Sequence, residues 1–131
     1  MVYSERSHFP CILFVDDQAD TRRFAKHVLA SEGYEVLTAR NSIEALVLAA
    51  DFPRSIDLLI TDPGMKTCQN GLELAFCFNI LRPETAILFV SVSPVTVSAR
   101  AWEQPPKQLA KPFSKKQLVE AVESSCAPSF G

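Results

Sequence analysis

The chain has 131 residues, of which 47% are hydrophobic and 21% are charged, and this composition favours one globular domain with a single core. Its formal net charge of −2 at pH 7 excludes a large basic surface, so neither nucleic acid nor an anionic membrane is expected as a partner. No stretch approaches the ~18 apolar residues that span a bilayer. The four cysteines form no C-x-x-C pair, which favours a reducing environment, and we expect a cytoplasmic protein.

The first half of the chain alternates between short apolar runs and amphipathic stretches. Residues 11–15 form a continuous apolar run, typical of a strand covered on both faces. A helix is predicted over residues 20–32, with Gly33 as its stop, because apolar residues recur there at helical spacing. A second strand over 34–39 and a second helix over 42–51 follow.

The second half continues the alternation less regularly. Strands are predicted over residues 56–61, 86–90 and 108–110, and helices over 71–81 and 114–124. Several prolines confine any helix between the last two strands to residues 95–103. The sequence Ser114-Lys115-Lys116-Gln117 predicts a capping box for the last helix. Five strands alternating with helices predict a parallel sheet with helices on both faces.

Polar residues stand where the predicted strands end. Asp16 and Asp17 follow the first strand, Asp62 follows the third, Ser91 follows the fourth and Lys111 follows the fifth. Ligands of parallel α/β sheets bind at the carboxyl ends of the strands, so these groups are expected to converge. Gathered carboxylate oxygens suit Mg²⁺, and a carboxylate beside a metal and a lysine can attack a phosphoryl group. Asp62 is therefore the predicted nucleophile.

Three segments in this order resemble the receiver domain of bacterial two-component response regulators. They are Ile12-Leu13-Phe14-Val15-Asp16-Asp17, the Asp62 strand followed by Asn70-Gly71-Leu72-Glu73-Leu74, and Lys111-Pro112-Phe113. The resemblance implies a flavodoxin-like, doubly wound five-stranded sheet of order 2-1-3-4-5. It divides the chain into an N-terminal arm (1–10), a receiver domain (11–124) and a flexible tail (125–131).

The resemblance also implies a role for each matching residue. Asp62 would accept a phosphoryl group from a histidine kinase or phosphotransfer protein, assisted by Ser91 as the switch hydroxyl and by Lys111. The implied Mg²⁺ ligands are Asp16, Asp17, Asp62 and the backbone carbonyl of Gly64. Output would pass to a downstream protein through the face made by the fourth helix, fifth strand and fifth helix. No catalysis is expected beyond phosphorylation from a donor and slow loss of the phosphoryl group.

Four positions depart from the family pattern. Pro63 removes the backbone N–H that directly follows the acceptor, and the loss of one such donor costs roughly 2.7–4 kcal/mol in comparable sites. Val92 would crowd the phosphoryl group, and Gln108 replaces the aromatic residue that usually couples to the switch hydroxyl. Lys66 replaces a proline, in a loop of the longer form.

These departures leave other functions open. The chain is alternatively a receiver-like interaction module that does not switch by phosphorylation, or the receiver part of a larger hybrid kinase or response regulator. A Mg²⁺-dependent phosphatase acting through Asp62 is less favoured, because a general acid and a substrate cap have no room in the chain. A weak homodimer, the cognate kinase and the output partner are also left open.

Overall fold

Five β-strands and four α-helices alternate in the computed structural model, which describes residues 10–64, 71–93, 95–96, 98–102 and 105–126. The strands are β1 (Cys11–Val15), β2 (Glu35–Ala39), β3 (Leu58–Thr61), β4 (Ala86–Ser91) and β5 (Lys107–Ala110). The helices are α1 (Ala19–Ser31), α2 (Ser42–Asp51), α3 (Gly71–Leu81) and α4 (Lys115–Cys126). None of the helices in these ranges is long and apolar enough to cross a membrane.

The strands form one parallel sheet of order β2-β1-β3-β4-β5, which confirms the predicted topology. Every residue of β1 and β3 is buried, because both strands lie in the interior of the sheet with helices on its two faces. All strands point the same way, so their carboxyl ends lie along one edge, here called the carboxyl edge.

Alternate strand residues divide the interior into two apolar layers. Leu13, Leu59 and Phe89 lie in the layer that packs against α2 and α3. The residues that follow Leu13 and Leu59 in their strands, Phe14 and Ile60, lie in the other layer, which packs against α1 and α4. The period of two along a strand produces this division, since neighbouring side chains point to opposite faces.

Two of the predicted helix boundaries are confirmed in detail. Gly33 follows α1 with φ 96°, a conformation that glycine adopts without the steric cost of a Cβ atom. At α4, Ser114 N donates to Gln117 Oε1 (2.8 Å) and Gln117 N donates to Ser114 Oγ (3.1 Å), which is the reciprocal pattern of a capping box. The helix runs to Cys126, two residues beyond its predicted end.

Any helix between β4 and β5 was predicted to lie within residues 95–103, and the helical turn that the structure shows there is short. Of that range, residues 95–96 and 98–102 are described, and they hold only a 3₁₀ turn at Ala99–Ala101. The segment is held by side chains instead: Asn79 Nδ2 donates to the Ala101 carbonyl (3.1 Å), and Trp102 is buried. The predictions for Lys66, for residues 1–9 of the arm and for residues 127–131 of the tail lie outside the described residues.

Candidate functional site

Four of the predicted site residues lie at the carboxyl edge. Asp16 follows β1, Asp62 follows β3, Ser91 ends β4 and Lys111 follows β5. Backbone hydrogen bonds continue past the strands at two of these positions, since Asp16 N donates to Ala39 O (3.1 Å) and Lys111 N donates to Ser91 O (2.9 Å). The sheet therefore fixes the backbone from which the Asp16 and Lys111 side chains extend.

The Lys111 ammonium joins two carboxylates from distant parts of the chain. Its Nζ donates to Asp62 Oδ2 (2.8 Å) and to Asp16 Oδ2 (3.0 Å). Burial lowers the pKa of Lys111, but the hydrogen bonds and charges of Asp62 and Asp16 outweigh it and raise that pKa above its ordinary value. Lys111 is therefore charged at neutral pH. Its positive charge offsets the repulsion between the Asp16 and Asp62 carboxylates.

In both Asp62 and Asp16, the second carboxylate oxygen accepts a hydrogen bond from the backbone N–H of the residue two positions later in the chain. Gly64 N donates to Asp62 Oδ1 (2.7 Å), and Gln18 N donates to Asp16 Oδ1 (2.9 Å). Pro63 has no N–H, so the first backbone donor after Asp62 is Gly64. The Gly64 N–H is bonded to the Asp62 carboxylate itself, so it orients the acceptor and does not take the place of the donor that is missing at Pro63.

Two further residues position this site and were not predicted to do so. Arg22 Nη1 donates to the Asp16 carbonyl (2.8 Å) and anchors the turn after β1 to α1. At Gly71, an added Cβ would lie 2.2 Å from the Asp62 carbonyl oxygen and 2.5 Å from the Asp62 carbonyl carbon. The first turn of α3 therefore packs directly on the backbone of Asp62. A glycine that opens a helix is the sequence signal for such close packing.

An open cleft of about 740 Å³ lies over Asp62 and Lys111. Its walls also include Asp17, which is exposed, and Val92, which is 79% exposed. The full lining comprises Asp17, Gln18, Asp20, Thr21, Phe24, Asp62, Gly64, Val92, Lys111, Pro112 and Phe113. The Asp62 side chain is 19% exposed in this cleft, and Val92 lies in its wall.

Ser91 is at the edge, but its hydroxyl is engaged elsewhere. The residue is buried, it does not line the cleft, and its Oγ donates to the Ser93 carbonyl (2.6 Å). This is the local backbone hydrogen bond that a strand-end serine commonly forms. The role of Ser91 as a switch hydroxyl stays a prediction.

The oxygen donors at the cleft fit Mg²⁺ in chemical type. Carboxylates of Asp17 and Asp62 and the Gly64 backbone all belong to its lining, and hard oxygen ligands are those that Mg²⁺ prefers. Among the residues that the structure describes, however, no three acidic, histidine or cysteine side chains are gathered closely enough to hold a metal ion. The third carboxylate, that of Asp16, is buried against Lys111. The magnesium site therefore stays a prediction.

This fold, with carboxylates and a lysine meeting at the carboxyl edge, defines a class of signalling module. The response regulator receiver domain family matches residues 12–123, and the chain belongs to that family of two-component systems. The family is a signalling module and not an enzyme of the ordinary kind. The resemblance noted from the sequence is confirmed.

Two curated relatives come from Brucella abortus (strain 2308). The response regulator receiver protein CpdR is 32% identical over 114 residues, which cover 86% of this chain and 92% of CpdR. The sensor kinase CckA is 30% identical over 113 residues, which cover 85% of this chain but only 12% of that kinase. The chain thus spans a small part of one relative and nearly all of the other.

A solved structure extends the likeness to three dimensions. The response regulator TrrA of Thermotoga maritima, in complex with Mg²⁺-BeF, superimposes with a TM-score of 0.73 at 30% identity. The match covers 88% of this chain and 98% of TrrA.

Proposed function

We propose that this chain accepts a phosphoryl group on Asp62 from a histidine kinase or a phosphotransfer protein and signals through protein contacts. One observation carries the proposal: Lys111 Nζ lies within hydrogen-bond distance of both Asp62 and Asp16, beneath an open cleft. A carboxylate that already bonds to an ammonium at the end of a rigid strand is positioned as a nucleophile. The proposal includes a cytoplasmic location, and the described cysteines Cys11, Cys77 and Cys126 are free thiols.

In the proposed reaction, an oxygen of the Asp62 carboxylate forms a bond to phosphorus. The bond from phosphorus to the donor's nitrogen or oxygen breaks, and its electron pair stays on that leaving atom. Lys111 balances the negative charge of the transferred group, and Gly64 N–H fixes the orientation of the carboxylate. Bound Mg²⁺ would supply positive charge to the phosphoryl oxygens, held by Asp16, Asp17, Asp62 and the Gly64 carbonyl. The Mg²⁺-BeF complex of TrrA supports the choice of Mg²⁺ as the ion.

The test is intact-protein mass spectrometry after incubation with acetyl phosphate and Mg²⁺. Wild type should gain one phosphoryl group, Asp62→Asn should gain none, and EDTA should abolish the gain. Asp51→Asn, which alters an exposed carboxylate at the end of α2, is the matched control and should behave as wild type. Lys111→Met should slow the reaction by roughly 100-fold, the usual effect of removing one charge-stabilising group. An unmodified wild type, or equal modification of Asp62→Asn, would refute the proposal.

A second candidate function is an interaction module that keeps the fold without switching. The Ser91 hydroxyl bonded to Ser93 and the missing donor at Pro63 favour it. The surface that would serve either function is the predicted output face, which here consists of residues 98–102, β5 and α4. Equal partner affinity of wild type and Asp62→Asn, together with no mass gain in the phosphorylation assay, would select the second candidate. Sedimentation of the same samples would measure weak self-association.

A further inference from the structure

The Gln108 side chain pairs with the backbone of the segment that follows β4. Its Oε1 accepts from Val95 N (2.8 Å), and its Nε2 donates to Val95 O (2.6 Å). Both backbone groups of one residue are therefore bonded by one planar amide, as they would be by a neighbouring strand. Gln108 itself is fixed in β5, where its backbone pairs in register with Phe89.

This pairing closes a short loop at the candidate site. At the other end of the loop, the Ser91 carbonyl accepts from Lys111 N (2.9 Å), so β5 holds the chain both at Ser91 and four residues later at Val95. The Ser93 carbonyl lies between these two anchors and accepts the Ser91 hydroxyl. With both ends held, that carbonyl has little freedom to move away from the hydroxyl.

We infer that Gln108 is a positioning residue that latches Val95 to β5 and so keeps the Ser91 hydroxyl turned toward the Ser93 carbonyl. The inference goes beyond the proposed function and rests on it only for the consequence at Asp62. If Ser91 has to turn toward a phosphoryl group, the latch opposes that turn. Removing the latch should then favour the phosphorylated state.

The latch itself is tested by hydrogen exchange at the Val95 amide, resolved by NMR on the full chain. Gln108→Met keeps an unbranched side chain of similar length but can form neither hydrogen bond. This substitution should accelerate hydrogen exchange of the Val95 amide by about tenfold. Loss of the acceptor costs about 1.4 kcal/mol, and that free energy corresponds to a factor of ten in the exchange rate. Lys107→Met makes the same replacement at the adjacent exposed β5 residue, whose ammonium bonds to Ser124, and should leave Val95 unchanged. Equal Val95 exchange in wild type and Gln108→Met would overturn the inference.

The positioning role is tested by the affinity for beryllofluoride with Mg²⁺, measured by calorimetry in a double-mutant cycle. Gln108→Met should bind about three- to tenfold more tightly than wild type, and the gain should vanish in a Ser91→Ala background. If Gln108 had a purely structural role, Gln108→Met would change the beryllofluoride affinity equally with and without Ser91→Ala. That result would overturn the positioning role. If wild type bound no beryllofluoride at all, the proposed function would fail, while Val95 exchange would still decide the latch.

Discussion

Substitution of Gly71 by alanine is the most direct test of how the fold positions the acceptor. The new Cβ would lie 2.2 Å from the Asp62 carbonyl oxygen and 2.7 Å from Thr61 Oγ1, whereas ordinary contact begins at 3.4 Å. The nearest atoms belong to the backbone of Asp62, which has no flexible end that could swing aside. Either the start of α3 or the end of β3 must therefore move by about 1 Å, the shortfall in that contact.

The cost of this movement can be bounded. Overpacking of this type costs ~1–3 kcal/mol, and for a domain of this size about 2 kcal/mol lowers Tm by roughly 6–10 °C. The contact from Lys111 Nζ to Asp62 Oδ2 is 2.8 Å, and a shift of 1 Å would break it. Misplacement on that scale slows a positioned reaction by roughly 100-fold.

The assay pairs thermal unfolding with the rate of phosphorylation by acetyl phosphate. Gly33→Ala is the matched control, because its added Cβ meets nothing within 4 Å and its only strain is the positive φ of 96°. That strain costs ~1 kcal/mol, so Tm should fall modestly while the phosphorylation rate stays at the wild-type value. A Gly71→Ala protein with wild-type Tm and rate would show that α3 does not set the position of Asp62.

Three other predictions concern the cleft wall, a buried hydroxyl of β3 and a buried thiol of β1. Val92→Ala should raise the phosphorylation rate a few-fold by opening the cleft wall. Because Val92 is 79% exposed, the Tm of this variant should stay close to that of wild type. A slower reaction would refute crowding by Val92. Thr61 Oγ1 is buried with no hydrogen-bond partner among the described residues, so Thr61→Val should stabilise the fold by about 1 kcal/mol in urea unfolding; destabilisation would mean that the hydroxyl has a partner. Burial raises the pKa of the Cys11 thiol to about 11, so iodoacetamide at pH 7.5 should label Cys11 only in denaturant; labelling in native protein would contradict this.

The parts of the fold that follow from local chemistry were predictable from sequence. The apolar run 11–15 gave β1 at its observed bounds, and the α2 and α3 ranges were also correct. Ser114 and Gln117 form the capping box because both partners lie within one helical turn. The prediction that Asp16, Asp62 and Lys111 lie at one edge required only that the strands be parallel, because the carboxyl ends of parallel strands lie along the same edge of the sheet.

What could not be predicted depends on contacts between residues distant in sequence. The segment after β4 forms a 3₁₀ turn at Ala99–Ala101. Near this turn, Val95 is bonded to the Gln108 side chain of β5, and Trp102 stacks on Phe76 of α3. No local sequence pattern encodes these two contacts. The direction of the Ser91 hydroxyl depends on the position of the Ser93 carbonyl, which long-range packing decides. Likewise, Gly71 marks close packing only once the backbone of Asp62 is known to lie against it.

Trp102 gives this molecule an intrinsic optical probe. It is the sole tryptophan of the chain, its ring stacks on Phe76 of α3 at 4.6 Å, and it meets the edge of Phe89 at 6.4 Å. Phe89 lies two residues before Ser91 in β4, so a rearrangement there would alter the surroundings of the indole. Its fluorescence emission therefore reports on this region in the unlabelled native protein, and stopped-flow mixing can time the rearrangement as it occurs.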